Sequence, residues 1–399
     1  MALLLVAALV GASSASTISE QRALDTLRSI QRDHRGLPLV APFDAPRRRH
    51  AIAWREIAFT GCPPLIAPTH DLLGIENFYT DAKQSVRDET KWLAGRARLK
   101  GLREFGIALG RMSSDQMLDR HPDAARAECM ARHLESWANA HALTGEVTFM
   151  TSSNRAWFVI INAATALIIL KQDKSISPER AAPIEHWLAE LAWSVLRFDD
   201  DMYQRIKATP RYPNNHVYWA GAAAVTAAVA AQDVPLFLRG IENGRAGLNQ
   251  VDRAGFLSGE LWRGARAFRY TLWGAAPLAL IVRYAEANGI PLAKANDGAL
   301  VRLSESIIAT PRAPQAFERA AGIAQVENWS TWPNYAADTE FAELIAPLGL
   351  SRSTEALAAL YRPVFSQMLG GNLTILYGDP AKVRRAIERP GTRLVAPPL

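Results

Sequence analysis

Cysteine is scarce in this chain: Cys62 and Cys129 are the only two in 399 residues. That excludes a disulfide-built scaffold, and neither cysteine has the histidine spacing of a zinc site. Nucleotide-binding signatures are missing as well: no phosphate-cradling loop occurs, and no dinucleotide-binding glycine pattern follows a strand-like segment. Convincing strand alternation is almost absent, and Asn372–Gly378 (NLTILYG) is its best candidate. Long apolar runs are lacking too. Ala2–Ala12 and Trp157–Leu170 are both too short to span a bilayer, and Asn162 interrupts the second. No fixed-period repeat is visible, which disfavours a consensus solenoid. Basic residues are scattered apart from Pro46–His50 (PRRRH), with no zinc-finger or single-strand-binding signature, so nucleic acid is not expected as a partner.

What is present fits a large soluble core. The chain is 49% hydrophobic and 21% charged, and it carries eleven tryptophans. Its formal net charge of +6 favours an acidic partner, such as an anionic surface or a polyanionic substrate. The N-terminus, MALLLVAALVGASSAST, reads as a secretory signal with a cleavage site near Ala15, although no positive charge follows Met1; the alternative is a buried helix. In an exported protein two cysteines suggest one disulfide closing a long loop; in the cytosol they would be buried thiols.

Helical periodicity dominates. Ser177 caps a helix with Pro178 at its first position, and Ile184, Trp187, Leu188, Leu191 and Val195 share one stripe. The alanine-rich run after Asn214 reads as a helix that neighbours can approach closely. Lys91–Met112, Ala124–Ala142 and Thr354–Met368 also read as helices. A long helical pattern from Gly259 is expected to kink or split at Pro277 and to stop at Asn288-Gly289. Many helices joined by short turns mean an all-α protein with helix-on-helix packing. A closed ring of antiparallel helix pairs fits, but periodicity alone does not distinguish it from an open array.

Two stretches carry candidate chemistry. In TPRYPNNHVYWAG (Thr209–Gly221) one asparagine suffices to cap the helix, yet Asn214, Asn215 and His216 stand together. In ELWRGARAFRYTLWGAAP, Arg263, Arg266 and Tyr270 fall at i, i+3 and i+7, one face of a continuous helix. A solvated basic face is the bland explanation; an anion site with a tyrosine of lowered pKa is the functional one. An amide, an imidazole, a guanidinium and a phenol are the inventory needed to β-eliminate a uronic acid without a metal. The carboxylate must be held as if neutral, the C5 proton removed and the leaving oxygen protonated.

NNHVYW closely resembles the Asn-Asn-His-Ser-Tyr-Trp segment of the helical alginate lyases of polysaccharide lyase family five. RGARAFRYTLWGAAPLALI resembles that family's later helix, in which an arginine precedes the catalytic tyrosine by seven residues, and GLNQVDRAGFLSGEL resembles the run before it. The likeness extends more weakly from about Cys62 to Asp379. It implies an incomplete α/α toroid with a cleft at its mouth, and a periplasmic, cofactor-independent lyase for mannuronate-rich alginate; a monomer is expected. It implies that Cys62 pairs with Cys129. It implies that Asn215 and Arg263 neutralise the carboxylate, that His216 assists or acts as base, and that Tyr270 is acid and, for mannuronate, base. The organisation expected is a signal at 1–15, an N-terminal arm at 16–60, a toroid lyase domain at 61–385 and a tail at 386–399.

The family pattern is departed from in two places. Thr271-Leu272-Trp273 replaces His-Asn-Tyr after the tyrosine. Phe78-Tyr79 replaces Lys-Tyr in a loop over the cleft, removing an expected cation. Altered subsite preference, for instance for polyglucuronate, is the reading these changes support. Further candidates for sugar contact are Arg266, Tyr79, Asn214, Trp137 (with His133 and His141 at i±4), Trp157, Trp332 and Tyr335. A glycoside hydrolase needs two carboxylic acids across the scissile bond, and near these segments only Glu260 offers one. A non-catalytic polyuronate-binding protein is the remaining alternative.

Overall fold

The computed structural model describes Asp25 and residues 38–52, 57–72, 77–147, 150–204, 209, 211–333 and 336–387. The expected signal segment and Tyr335 lie outside the described residues. In chain order the helices are α1 (Ala45–Ile52), α2 (Glu89–Arg98), α3 (Lys100–Leu118), α4 (Ala124–Asn139), α5 (Met150–Gln172), α6 (Pro178–Tyr203), α7 (Asn215–Ala231), α8 (Val234–Leu248), α9 (Ser258–Leu261), α10 (Ala267–Ala287), α11 (Ala295–Ala309), α12 (Gln315–Ala321), α13 (Glu340–Ile345), α14 (Arg352–Tyr361), α15 (Leu373–Tyr377) and α16 (Pro380–Ile387). Two short antiparallel strands, β1 (Phe365–Ser366) and β2 (Gly371–Asn372), form the one sheet among the described residues.

Helix α7 sits at the centre, packed against α5, α6, α8 and α10. Its alanines make this enclosure possible, since bulkier side chains would hold the neighbours away. Gly221 of α7 and Gly240 of α8 mark the closest crossing. A Cβ on Gly221 would stand 2.8 Å from Asn243 Cβ, and one on Gly240 would stand 2.8 Å from the Gly221 carbonyl. The α6 start follows the sequence pattern: the Ser177 side chain accepts from Arg180 N, and the Ile184–Val195 stripe is buried.

The basic run near the N-terminus turns inward. Arg48 donates to the carbonyls of Ile375 (2.7 Å) and Gly378 (2.5 Å), closing the end of α15. Arg49 pairs with Asp173 at 2.7 Å. Both arginines are buried, so this cluster fastens residues 38–52 to the body of the protein.

Several elements differ from the sequence pattern. The expected Lys91–Met112 helix is two helices meeting at Leu99. Pro277 does not split α10, which runs on to Ala287 because both flanks of the proline are packed in the core. Asn372–Gly378 is mostly helix: Asn372 caps α15 by accepting from Ile375 N, and its apolar run reflects burial on every side. The helix begun at Arg352 ends at Tyr361, before the cis bond Arg362-Pro363.

One buried acid yields a stability prediction. Glu340, 3% exposed, opens α13, and burial beside Asp338 pushes its carboxyl up to about 8 against the pull of the Ser366 hydroxyl. A raised acid pKa favours the fold fully below the unfolded value of about 4.5. That advantage is lost as pH rises through about 8, when the folded state must hold a buried charge. Glu340→Gln is therefore expected to flatten the fall in Tm between about pH 4.5 and 8 in a thermal melt. An unchanged slope would remove Glu340 from that loss of stability.

Candidate active site

Three segments meet: the loop 77–88, the start of α7, and Leu257–Tyr270. The loop is closed at its base by Asp88 N to Phe78 O and by Thr80 N to Val86 O. Inside it, Asp81 accepts from the amides of Ser85 and Val86, both at 2.7 Å, and from the Ser85 hydroxyl. The loop is thus a preformed turn, with Gln84 in the left-handed region at φ 53°.

Arg263, Arg266 and Tyr270 do not share one helix, contrary to the sequence expectation. Helix α9 ends at Leu261, a 3-10 turn spans Gly264–Arg266, and α10 begins only at Ala267. Gly264 takes φ +58°, a conformation that opposes continued helix, and the chain folds back there. The fold-back lays the Arg263 guanidinium on the Tyr270 ring, with Cζ 3.5 Å from the ring centre. Trp262 and Tyr79 flank the same guanidinium at 4.9 and 5.3 Å. Its two terminal nitrogens donate to the Gln84 side chain (2.6 Å) and the Gln84 carbonyl (3.2 Å). Arg266 donates to the Ser85 carbonyl at 2.6 Å, so it too fastens the loop.

Tyr270 is half-buried, and its hydroxyl shares a short hydrogen bond with that of Tyr79. Burial raises its pKa above the usual phenol value. Arg263 pulls the other way but does not win while the loop is seated. This corrects the expectation of a lowered tyrosine pKa: the resting phenol is protonated.

At the α7 start, Asn214 is the N-cap. It accepts from His216 N at 3.1 Å and donates to the Arg211 carbonyl at 3.0 Å. Its side chain is therefore committed to the helix start. Asn215 follows, and both its backbone N–H (2.5 Å) and its Nδ2 (2.9 Å) donate to Oε1 of Glu260. Burial pushes the Glu260 carboxyl up to about 7, against the opposing pull of Arg263 and the Asn215 donors. His216 lies edge-on to Trp157 and Tyr203, at 5.4 and 5.9 Å between ring centres. Burial, with Arg263 adding to it, lowers its pKa to about 3, so it is a neutral imidazole at working pH. Its Nδ1 is buried without a hydrogen-bond partner among the described residues.

Other candidates lie elsewhere. Trp137 is 1% exposed; it stacks on Phe105 at 3.8 Å and donates to the Ile66 carbonyl, so it is core and not a sugar platform. Trp157 is fully buried and supports His216 from behind. Trp332 is half-buried against Phe268. Of the altered triplet, Thr271 and Leu272 are buried, and Trp273 packs on Phe158 and Trp219. Cys62 and Cys129 form the disulfide, beside buried His133; with both sulfurs bonded, this trio is not a metal centre. Gln84 and Ser85 were invisible to sequence reasoning, since no motif marks a loop residue that meets Arg263 from 179 positions away. Glu260 had a signal: it precedes Arg263 by three residues.

Comparison with known proteins follows the same lines. The sequence profile of the family described as Alginate lyase matches residues 113–317. An alginate lyase of Azotobacter vinelandii is 31% identical over 335 residues, covering 80% of this chain and 85% of that protein. A polysaccharide lyase of Stenotrophomonas maltophilia is 28% identical over 324 residues, covering 80% and 91%. A solved structure of alginate lyase A1-III complexed with a tetrasaccharide matches with a TM-score of 0.71 at 18% identity, covering 85% of this chain and 96% of that one. At that identity the likeness speaks for the fold, an α/α toroid.

Proposed function

The chain belongs to the alginate lyase family, and from that premise we propose that it cleaves mannuronate-rich alginate by β-elimination, using Asn215, His216, Arg263 and Tyr270. One observation carries the site assignment. Asn215 is gripped by Glu260, and three residues further on Arg263 lies on the ring of Tyr270, so two distant segments present one cluster.

The uronate carboxylate binds at Asn215, whose second Nδ2 hydrogen is free of Glu260, beside neutral His216. A neutral imidazole serves as a hydrogen-bond donor and adds no positive charge. Arg263 acts on the phenol, because its terminal nitrogens are already held by Gln84. A cation against the ring face favours phenolate. The Tyr270 phenol first gives up its proton to water, and the phenolate then takes the C5 proton on the face from which O4 departs. The C5–H electron pair becomes the C4–C5 double bond, the C4–O4 bond breaks, and the new phenol returns that proton to O4. Phenolate is regenerated at that point, and it recovers a proton from water as the site returns to its resting phenol.

Export to the periplasm and action as a monomer complete the reading. The Cys62–Cys129 disulfide and the N-terminal segment support the first. The decisive assay incubates the purified protein with polymannuronate, polyguluronate, polyglucuronate and a neutral glucan, and follows ultraviolet absorbance of the unsaturated uronate. Absorbance growth fastest on polymannuronate is expected. New reducing ends without absorbance would mean hydrolysis, and binding without either would mean a polysaccharide-binding protein.

A further inference from the structure

Glu260 is a buried acid beside a site that binds anions, and the reaction above gives it no role. It is 0% exposed. One oxygen, Oε1, takes two hydrogen bonds from a single residue, the backbone N–H and the side-chain Nδ2 of Asn215. The other, Oε2, is buried with no hydrogen-bond partner among the described residues. Asn215 is the first residue of α7, so its N–H has no acceptor within the helix. A carboxylate at that point also meets the positive end of the helix dipole. An asparagine side chain left alone could turn its amide either way, presenting oxygen or nitrogen to the cleft. With Nδ2 tied to Glu260, a flip would set two oxygens face to face, so one orientation is fixed.

We propose that Glu260 is a positioning residue of the lyase reaction, gripping Asn215 by backbone and side chain so that its amide meets the substrate carboxylate in one orientation. This rests on the reading of Asn215 as the carboxylate-binding amide. The role needs an acceptor oxygen and does not need a negative charge. Glutamine supplies the same Oε1 acceptor on the same frame, whereas leucine fills the space and supplies none.

The experiment measures kcat and KM on polymannuronate for Glu260→Gln, Glu260→Leu, Asn215→Ala and the double variant Glu260→Leu/Asn215→Ala. Glu260→Gln is expected within about tenfold of wild-type kcat. Glu260→Leu should lose kcat by roughly 100-fold, the scale of one misplaced oxyanion donor. In the Asn215→Ala background Glu260→Leu should cost little more, because residues acting as a unit do not add. A Glu260→Gln enzyme as impaired as Glu260→Leu would overturn the proposal and give the carboxylate itself a part in the chemistry. So would a fully additive double variant, which marks a merely structural role, or a Glu260→Leu enzyme of normal rate. Should Glu260→Leu fail to fold, Glu260→Gln alone decides, since retained kcat supports the grip and a 100-fold loss sinks it. Asn215→Ala separates the two levels: normal activity there removes the reading of the amide itself, while a dead Asn215→Ala beside a normal Glu260→Leu removes only the inference.

Discussion

Tyr270→Phe is expected to lower kcat on polymannuronate by about 100- to 10,000-fold, the range for losing one acid–base group, while oligomannuronate still binds. The substitution is narrow. Phenylalanine keeps the ring on which the Arg263 guanidinium rests at 3.5 Å, so the packing of the turn survives. Only the hydroxyl is lost, and with it the hydrogen bond to Tyr79. Tyr79→Phe serves as the matched control, because it breaks the same bond from the other side. If the bond merely seats the loop, the two variants should look alike, with a changed KM and kcat within about tenfold of wild type; if Tyr270 carries the proton from C5 to O4, only Tyr270→Phe should lose kcat so heavily. Single-turnover absorbance with oligosaccharide binding by calorimetry distinguishes these outcomes. A Tyr270→Phe enzyme with near-normal kcat would remove the phenol from the chemistry.

How much of this was legible beforehand depended on how local the cause was. Ser177 and Pro178 start a helix for reasons contained in a few residues, and the Ile184–Val195 stripe follows from period alone. The crowding of Asn214, Asn215 and His216 was visible, but their division of labour was not. Which side chain caps and which is gripped by Glu260 depends on a segment 45 positions later. The i, i+3, i+7 spacing pointed to the right residues through the wrong geometry, since Gly264 breaks the helix and folds Arg263 back instead of lining it up. Trp137 misled because amphipathic context cannot separate a core tryptophan from a cleft tryptophan; only the Phe105 ring and the Ile66 carbonyl decide it. Asn372–Gly378 failed for a related reason. A run buried on all sides has no period to read.

Arg263→Met should be nearly as damaging as loss of the phenol, and its pH signature is what identifies its role. Methionine preserves bulk at a site only 3% exposed but removes three effects at once. The cation on the ring face disappears, and with it the one cationic influence favouring the Tyr270 phenolate. The loop loses its hold through Gln84. Glu260 loses the nearby charge that restrains its carboxyl from titrating still higher. A fall in kcat/KM of roughly 1000-fold is expected, the upper range for one electrostatic stabiliser. The sign of the pH effect follows from charge. Without the guanidinium the phenol ionises less readily, so the rising limb of the kcat profile moves to higher pH. Gln84→Ala releases the loop while leaving the cation in place; it should raise KM and leave that limb where it was. Arg263→Lys keeps a charge but loses the planar face and the two-pronged grip, so it should recover the limb more than the KM. A limb that stays fixed in Arg263→Met would mean that the arginine only holds the loop, and the phenolate would then need another source of stabilisation.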